Sequence, residues 1–255
     1  YQREVGMLSY NWEKDFNLRT NIESQLAEQL RVSLNLGYTN HSDRIIQDGY
    51  ASVVEGIEFG SPRWLPENRC DTNPGPDCGF SDGYIRHAHP SRDRTVRNTQ
   101  DMDRFTGGLT LNFTPFNWLT ARLTTGLDYT GELSVWLREY MENDTVVAIL
   151  GPNGRKGFRN EARWDHFYTT TDFSGTADLP LTTDLSSSTS VGVQYYTREY
   201  SYLRATGDQF AGPGLSTIEA LAILDNPTNN RVTNNTLGSY VQETLGWRDR
   251  LFLTG

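Results

Sequence analysis

Three features of the sequence predict an all-β chain, part of an antiparallel up-and-down transmembrane β-barrel. They are a period of two in its apolar residues, a strict alternation of short and long connections, and too little apolar content for a buried core. Only 36% of the 255 residues are hydrophobic, low for a soluble chain of this length. A barrel of this kind shows lipid only alternate strand residues, keeps a polar interior and carries long outer loops. Disorder also lowers hydrophobicity, but 13 Tyr, 11 Phe and 6 Trp oppose it. No apolar run approaches the roughly 18 residues of a membrane helix.

The period is clearest in "LNFTPFNWLTARLTTGLDY", residues 111–129. Successive strand side chains point to opposite sides, so Leu109, Leu111 and Phe113 share one face. Beyond the break at Pro115, Leu119, Ala121, Leu123, Thr125, Leu127 and Tyr129 do the same. Thr110, Asn112, Thr120, Arg122, Thr124, Gly126 and Asp128 make the other face. With the apolar set toward lipid, Arg122 and Asp128 are expected to face a wet lumen, because Arg at the lipid midplane would cost about 2–4 kcal/mol.

The strands expected are 14–26, 30–46, 103–114, 118–138, 163–179, 185–204, 236–246 and a truncated one from 250. Short turns fall near Ala27–Gln29, at Pro115, at "PLTTD" and at "WRDR"; about 55 residues follow the second strand, and long loops lie near 139–162 and 205–235. In an up-and-down barrel this order puts every short turn on one rim and every long loop on the other. From Leu119 to Tyr129 the chain advances ten residues, about 33 Å along a strand and roughly 25 Å across a tilted membrane span. Tyr38, Phe116, Trp118 and Tyr129 sit at the limits of such spans, as interfacial aromatics do. Strand 163–179 is Thr-rich, and "LGSYVQETLGW" has no clean apolar face. "GLSTIEALAIL" (214–224) places Leu215, Ile218, Leu221 and Ala222 at helical spacing, a possible short helix in its loop.

A net charge of −9 argues against nucleic acid as a partner, since phosphate binding calls for a basic surface. Cys70 and Cys78 flank a Pro/Gly/Asp turn, and a small disulfide ring in an oxidising compartment is expected; two free thiols are the alternative. His41, His87, His89 and His166 lack ligand spacing beyond the His87-x-His89 pair, which reads as loop polar residues, and Asp71, Asp77 and Asp82 lack the EF-hand pattern. "GPNGRKG" (151–157) lacks the strand–loop–helix setting of a phosphate cradle. "RDRTVRNTQDMDR" (92–104) reads mainly as solvated loop. No nucleophile–base–acid set is visible, so neither an enzyme, a cofactor nor a metal is expected. The N-x-[ST] matches at Asn40, Asn112, Asn143 and Asn234 are chance, Asn112 lying in mid-strand.

"FNLRTNIE", "LRVSLNLGY", "LNFTPFNWLTARLTTGLDY" and "GSYVQETLGWRDRLFLTG", in this order, resemble barrel strands of TonB-dependent outer-membrane receptors, most closely the SusC/RagA branch. The resemblance implies a 22-stranded barrel of which residues 1–255 form about eight strands of a single domain, the early-to-middle third, without the plug domain, the TonB box and the remaining strands. The start at Tyr1 and the stop inside "RLFLTG" likewise suggest a piece of a longer chain. It also implies active import of an oligosaccharide or peptide across the bacterial outer membrane, powered by TonB–ExbB–ExbD through the missing plug, with a SusD-like lipoprotein as lid and long loops outside the cell. A siderophore or cobalamin importer is the neighbouring alternative within the class. Arg63, Trp64, Tyr84 and Arg86 of the long loop are the candidate ligand residues, since rings stack on flat solutes and guanidinium groups donate to them. The rival from another class is a secreted or surface β-sandwich binding module; it explains the alternation but not the order of the connections.

Overall fold

The computed structural model describes residues 1–46, 58, 95–141, 156–248 and 250–255. Their strands form one antiparallel sheet: β1 (Gln2–Val5), β2 (Trp12–Ala27), β3 (Leu30–Ile45), β4 (Val96–Phe116), β5 (Leu119–Arg138), β6 (Phe158–Pro180), β7 (Leu185–Phe210), β8 (Leu221–Leu224), β9 (Thr228–Trp247) and β10 (Leu251–Thr254). Neighbours in sequence are neighbours in the sheet, except that β9 pairs with β7, and β8 is a side branch on β7. A sandwich needs a second sheet packed on the first, and the described residues form only one.

The expected short turns, at residues 28–29 and 117–118, at 181–184 and between Trp247 and Leu251, lie together at one end of the strands, but the alternation is not strict, since short connections at 6–11 and 225–227 lie at the other end. Proline lacks the N–H for a ladder bond, and the β4–β5 register accordingly shifts between Phe113 and Phe116, around Pro115. Three of these turns are also tied to the next hairpin. Thr114 N–H donates to Gln29 O at 2.8 Å, Asp178 N–H to Trp118 O at 2.8 Å, and Arg248 N–H to Asp184 O at 2.7 Å.

Register sorts the side chains as the alternation predicts. Val32, Leu111, Leu123, Phe173, Val193 and Ser239 lie opposite one another across six strands, as do Leu34, Leu109, Thr125, Thr171, Tyr195 and Leu237. The other face carries Arg31, Asn112, Arg122, Ser174 and Gly192 in one row. The "LGSYVQETLGW" strand does have an apolar side, with Leu237, Val241 and Leu245 in phase with Tyr195 and Val191. Ser239 and Glu243 interrupt it, and Glu243 is satisfied by the hydroxyls of Ser187 and Thr189, both at 2.5 Å.

Nothing in the described chain covers this apolar face. Leu18, Ile22, Leu237 and Val241 are 57%, 52%, 72% and 74% exposed. Its upper limit is a row of four rings in register, Tyr38, Phe105, Tyr129 and Phe167. Two residues further up the row reads Asn40, Asp103, Gly131 and Asp165. Tyr38 Oη donates to Asp103 at 2.6 Å and Tyr129 Oη to Asp165 at 2.9 Å, so each phenol spans the change from apolar to charged surface. A side chain at Gly131 would start 2.9 Å from the Tyr129 hydroxyl; glycine leaves that reach open.

Above this seam the strands continue further than the alternation indicated. β4 begins at Val96 instead of 103, β6 at Phe158 instead of 163, and β9 at Thr228 instead of 236. Residues 96–104, read as loop approach, are strand. The stretch 214–224 is not a helix but a 3-10 turn, Ile218–Ala220, leading into β8. β8 pairs with Gly207–Phe210, and that pairing of a short Leu/Ile run outweighs its helical spacing. The backbone approach is close: a Cβ on Gly207 would lie 2.5 Å from Ile223 O. Leu137, Phe210 and Leu221 are buried there, with Val135, Tyr140, Ile218 and Ala220 packed around them.

Candidate functional site

The polar face is where chemistry can meet a solute, and its side chains fall into three groups. In the lower half, glycine keeps the wall low. Gly37 lies opposite Thr106, and Gly108 opposite Gly126. Beside them an open trough of about 370 Å³ is lined by Arg19, Asn21, Asn35 and Thr106. A second, of about 470 Å³, continues past Asn17, Thr39 and Arg104.

Arg122 and Asp128 both lie on this face, as the period requires. Arg122 stands between Asn112 and Ser174, and Asp128 between Thr106 and Tyr168. Arg104 grips Asp128 with both nitrogens, Nε to Oδ1 at 3.0 Å and Nη2 to Oδ2 at 2.6 Å. The fork makes the pair geometrically specific, although its half-exposed setting makes its contribution to stability small.

Higher on the same face, β6 and β7 bring aromatic side chains together. Trp164 lies opposite Tyr202, His166 opposite Tyr200, and Tyr168 opposite Arg198. The ring centroids of Trp164 and Tyr202 are 5.3 Å apart, and those of His166 and Tyr200 5.0 Å. The Arg198 guanidinium sits over the Tyr168 ring at 5.6 Å, and Tyr168 Oη lies 3.3 Å from His166 Nδ1. Asn160, next to this group, accepts from Arg204 Nε at 3.1 Å and Thr206 Oγ1 at 3.2 Å. Sequence reasoning missed the cluster, having taken 163–179 only as Thr-rich. The signal was present as W-x-H-x-Y and Y-x-R-x-Y-x-Y, each in one parity.

The third group stands at the upper rim of β2 and β3, three residues and more beyond Tyr38. His41 Nδ1 lies 2.8 Å from Asp15 and 3.8 Å from Glu13, and its Nε2 lies 3.4 Å from Asp43. The hydrogen bond that Asp15 accepts raises the imidazole pKa against the lowering effect of burial, and Asp43 adds to the rise. One ligand atom each from Glu13, Asp15 and His41 falls within 4.8 Å of the others, a set able to contact a divalent cation. A protonated imidazole between carboxylates satisfies the same groups without one.

The loop residues expected to touch ligand, Arg63, Trp64, Tyr84 and Arg86, and the expected disulfide partners Cys70 and Cys78 lie outside the described residues. No helix among the described residues is long and apolar enough to cross a membrane, which has no bearing on crossing by strands.

No protein-family model and no curated protein matches the chain. Solved structures do. The RagAB peptide importer in its open-open state superposes with a TM-score of 0.71 at 16% identity, over 96% of this chain and 27% of that one. Its closed-closed state gives 0.68 at 14%, with the same coverage. BauA, the ferric preacinetobactin receptor from Acinetobacter baumannii, gives 0.52 at 10%, over 99% of this chain and 34% of that one. The chain therefore spans about a third or less of these neighbours' length. Its fold is that of a section of the β-barrel of these outer-membrane transporter and receptor structures.

Proposed function

We propose that residues 1–255 belong to one barrel domain of an outer-membrane transporter that imports a nutrient, an oligosaccharide or peptide, with energy delivered through TonB. The observation that carries this reading is the uncovered apolar face, closed above by the Tyr38–Phe105–Tyr129–Phe167 row. Water would oppose so large an exposed apolar surface, and lipid supplies its partner. The opposite face, with Arg19, Arg31, Arg122 and Asp128, then lines a wet lumen.

On this reading the long connections lie outside the cell, where Arg63, Trp64, Tyr84 and Arg86 make first contact with solute and a SusD-like lipoprotein closes over them. A plug outside this segment carries the link to TonB–ExbB–ExbD. A siderophore or cobalamin importer would use the same wall with a different solute.

Two measurements test the reading. The intact parent should need detergent to remain monodisperse; monodispersity in plain buffer would refute the membrane assignment. Deleting TonB in the producing cell should abolish uptake through the parent, and undiminished uptake would refute the energy coupling. Cys70 and Cys78 should be bonded, stabilising the loop by about 2–3 kcal/mol on loop-entropy grounds. Titration of the unreduced parent should then find neither thiol free, and two reactive thiols would refute the bond.

A further inference from the structure

Resting on that import reading, we propose that the β6–β7 aromatic cluster of the polar face is a binding platform for an oligosaccharide, with Trp164, Tyr202 and Tyr200 as its stacking rings and Arg198, seated over Tyr168, as a donor at its end. Three cross-strand pairs follow one another along the two strands, Trp164–Tyr202, His166–Tyr200 and Tyr168–Arg198. Residues of one parity recur about every 7 Å along a strand, so the pairs extend over about 14 Å. That is longer than one sugar ring. Trp164 and Tyr202 are inclined at 35° and His166 and Tyr200 at 51°, and all four side chains are half-buried, so part of the ring surface is open to the lumen side. An aromatic face is an apolar surface with a negative quadrupole, suited to the C–H face of a pyranose.

The surroundings select for hydroxyl groups. Asn234 lies opposite Arg198 and Asn230 opposite Tyr202 on β9, while Thr130 lies opposite His166 and Glu132 opposite Trp164 on β5. The amides of Asn230 and Asn234 and the hydroxyl of Thr130 both donate and accept, and the Glu132 carboxylate accepts, so this set can pair with sugar hydroxyls. Arg198 stands over Tyr168 and extends the flat surface with donors at its edge.

The same strands offer a peptide no sheet edge. Extended peptides are held tightly when their backbone adds to an open sheet edge. β6 is paired on both sides by β5 and β7, and β7 on both sides by β6 and β9. No backbone donor or acceptor is left there for a peptide chain, and the platform offers side chains alone.

The test uses the intact parent purified in detergent and titrated calorimetrically with maltoheptaose, cellohexaose, mannohexaose, xylohexaose, chitohexaose, an inulin-type fructan and a mixed-sequence octapeptide pool. At least one oligosaccharide should bind. Trp164→Ala and Tyr202→Ala should each weaken it about tenfold or more, while Ser239→Ala on the apolar face leaves affinity unchanged. Each variant is first checked for the heat-dependent gel mobility of the folded parent; if the alanine variants fail this check, Trp164→Leu and Tyr202→Leu replace them. Binding by the peptides alone, binding by no member of the panel, or an oligosaccharide affinity indifferent to both changes would overturn the proposal. TonB-dependent uptake measured beside it separates the two readings. If uptake depends on TonB while the platform variants bind and import normally, only the platform fails.

Discussion

The lower and upper lengths of the same strands meet different surroundings and solve them differently. Below the Tyr38–Phe105–Tyr129–Phe167 row, the apolar face is exposed and no described apolar side chain is buried. Above it, aspartates occupy that face within two residues, and the chain brings its own cover: β8 and the 3-10 turn close over Leu137 and Phe210. The charged surface there includes the Arg97–Glu139 pair, the Arg159–Glu161 pair at 2.7 Å and the Arg231–Glu199 pair. On the proposed membrane reading, the lower apolar side chains are left to lipid, whereas in the upper length Leu137 and Phe210 are buried under protein while Leu203, Ile223 and Leu224 stay about half exposed.

This contrast can be broken from either side. The largest effect is expected in the upper length from Phe210→Ala, since Phe210 is 1% exposed and deleting a buried ring costs about 3–5 kcal/mol. The loss should be local. Amide exchange of residues 207–224 should accelerate strongly while the lower strands remain protected, and uniform acceleration would mean that the two lengths are one cooperative unit.

Next comes Leu123→Arg on the uncovered face, expected to cost about 2–4 kcal/mol in lipid. Its counterpart Leu133→Arg, ten residues above and in the same parity, should cost much less. Denaturant titration of the parent in lipid vesicles compares the two, and equal costs would place the boundary elsewhere than the aromatic row. Asp128→Asn, which loosens the Arg104 fork, should change stability by at most about 1 kcal/mol in the same assay.

The smallest effect concerns His41. Its folded pKa is raised, so its contribution is complete below the unfolded value of about 6.5 and declines as pH rises through the folded value. The groups facing it are Glu13 and Asp15 on β2 and Asp43 on its own strand, while Met102 on β4 is uncharged. Exchange at the β2–β3 rim, corrected for intrinsic rates, should be slower at pH 6 than at pH 8.5, and His41→Gln should remove the difference. A rim insensitive to pH in the parent would show that the imidazole is not held in this way.

The same contrast explains what the sequence disclosed. Leu109 to Tyr129 could be assigned to faces because lipid and water demand opposite residue types on a two-residue period. Residues 96–104 could not, because charged and polar side chains suit both sides of a strand in water and alternation carries no signal. β8 was hidden for another reason: Leu221 to Leu224 is short enough to fit a helical spacing as well as a strand, and only pairing with β7 decides. The aromatic platform was legible in principle, as two runs of one parity in "WDHFY" and "YTREYSYLR". Asking only for metal or catalytic spacing around His166 passed over it.

The bonds linking three of the short turns to the following hairpin bear on how the wall is put together. Gln29, Trp118 and Asp184 each leave a turn carbonyl that is filled only when Thr114, Asp178 or Arg248 arrives from a later strand. A one-residue slip of the incoming hairpin would forfeit that bond at the turn and also reverse which side chains meet lipid. Each hairpin thus acts as a gauge for its successor, so alignment is passed along the growing sheet and an early error in β2–β3 would be inherited by every strand that follows.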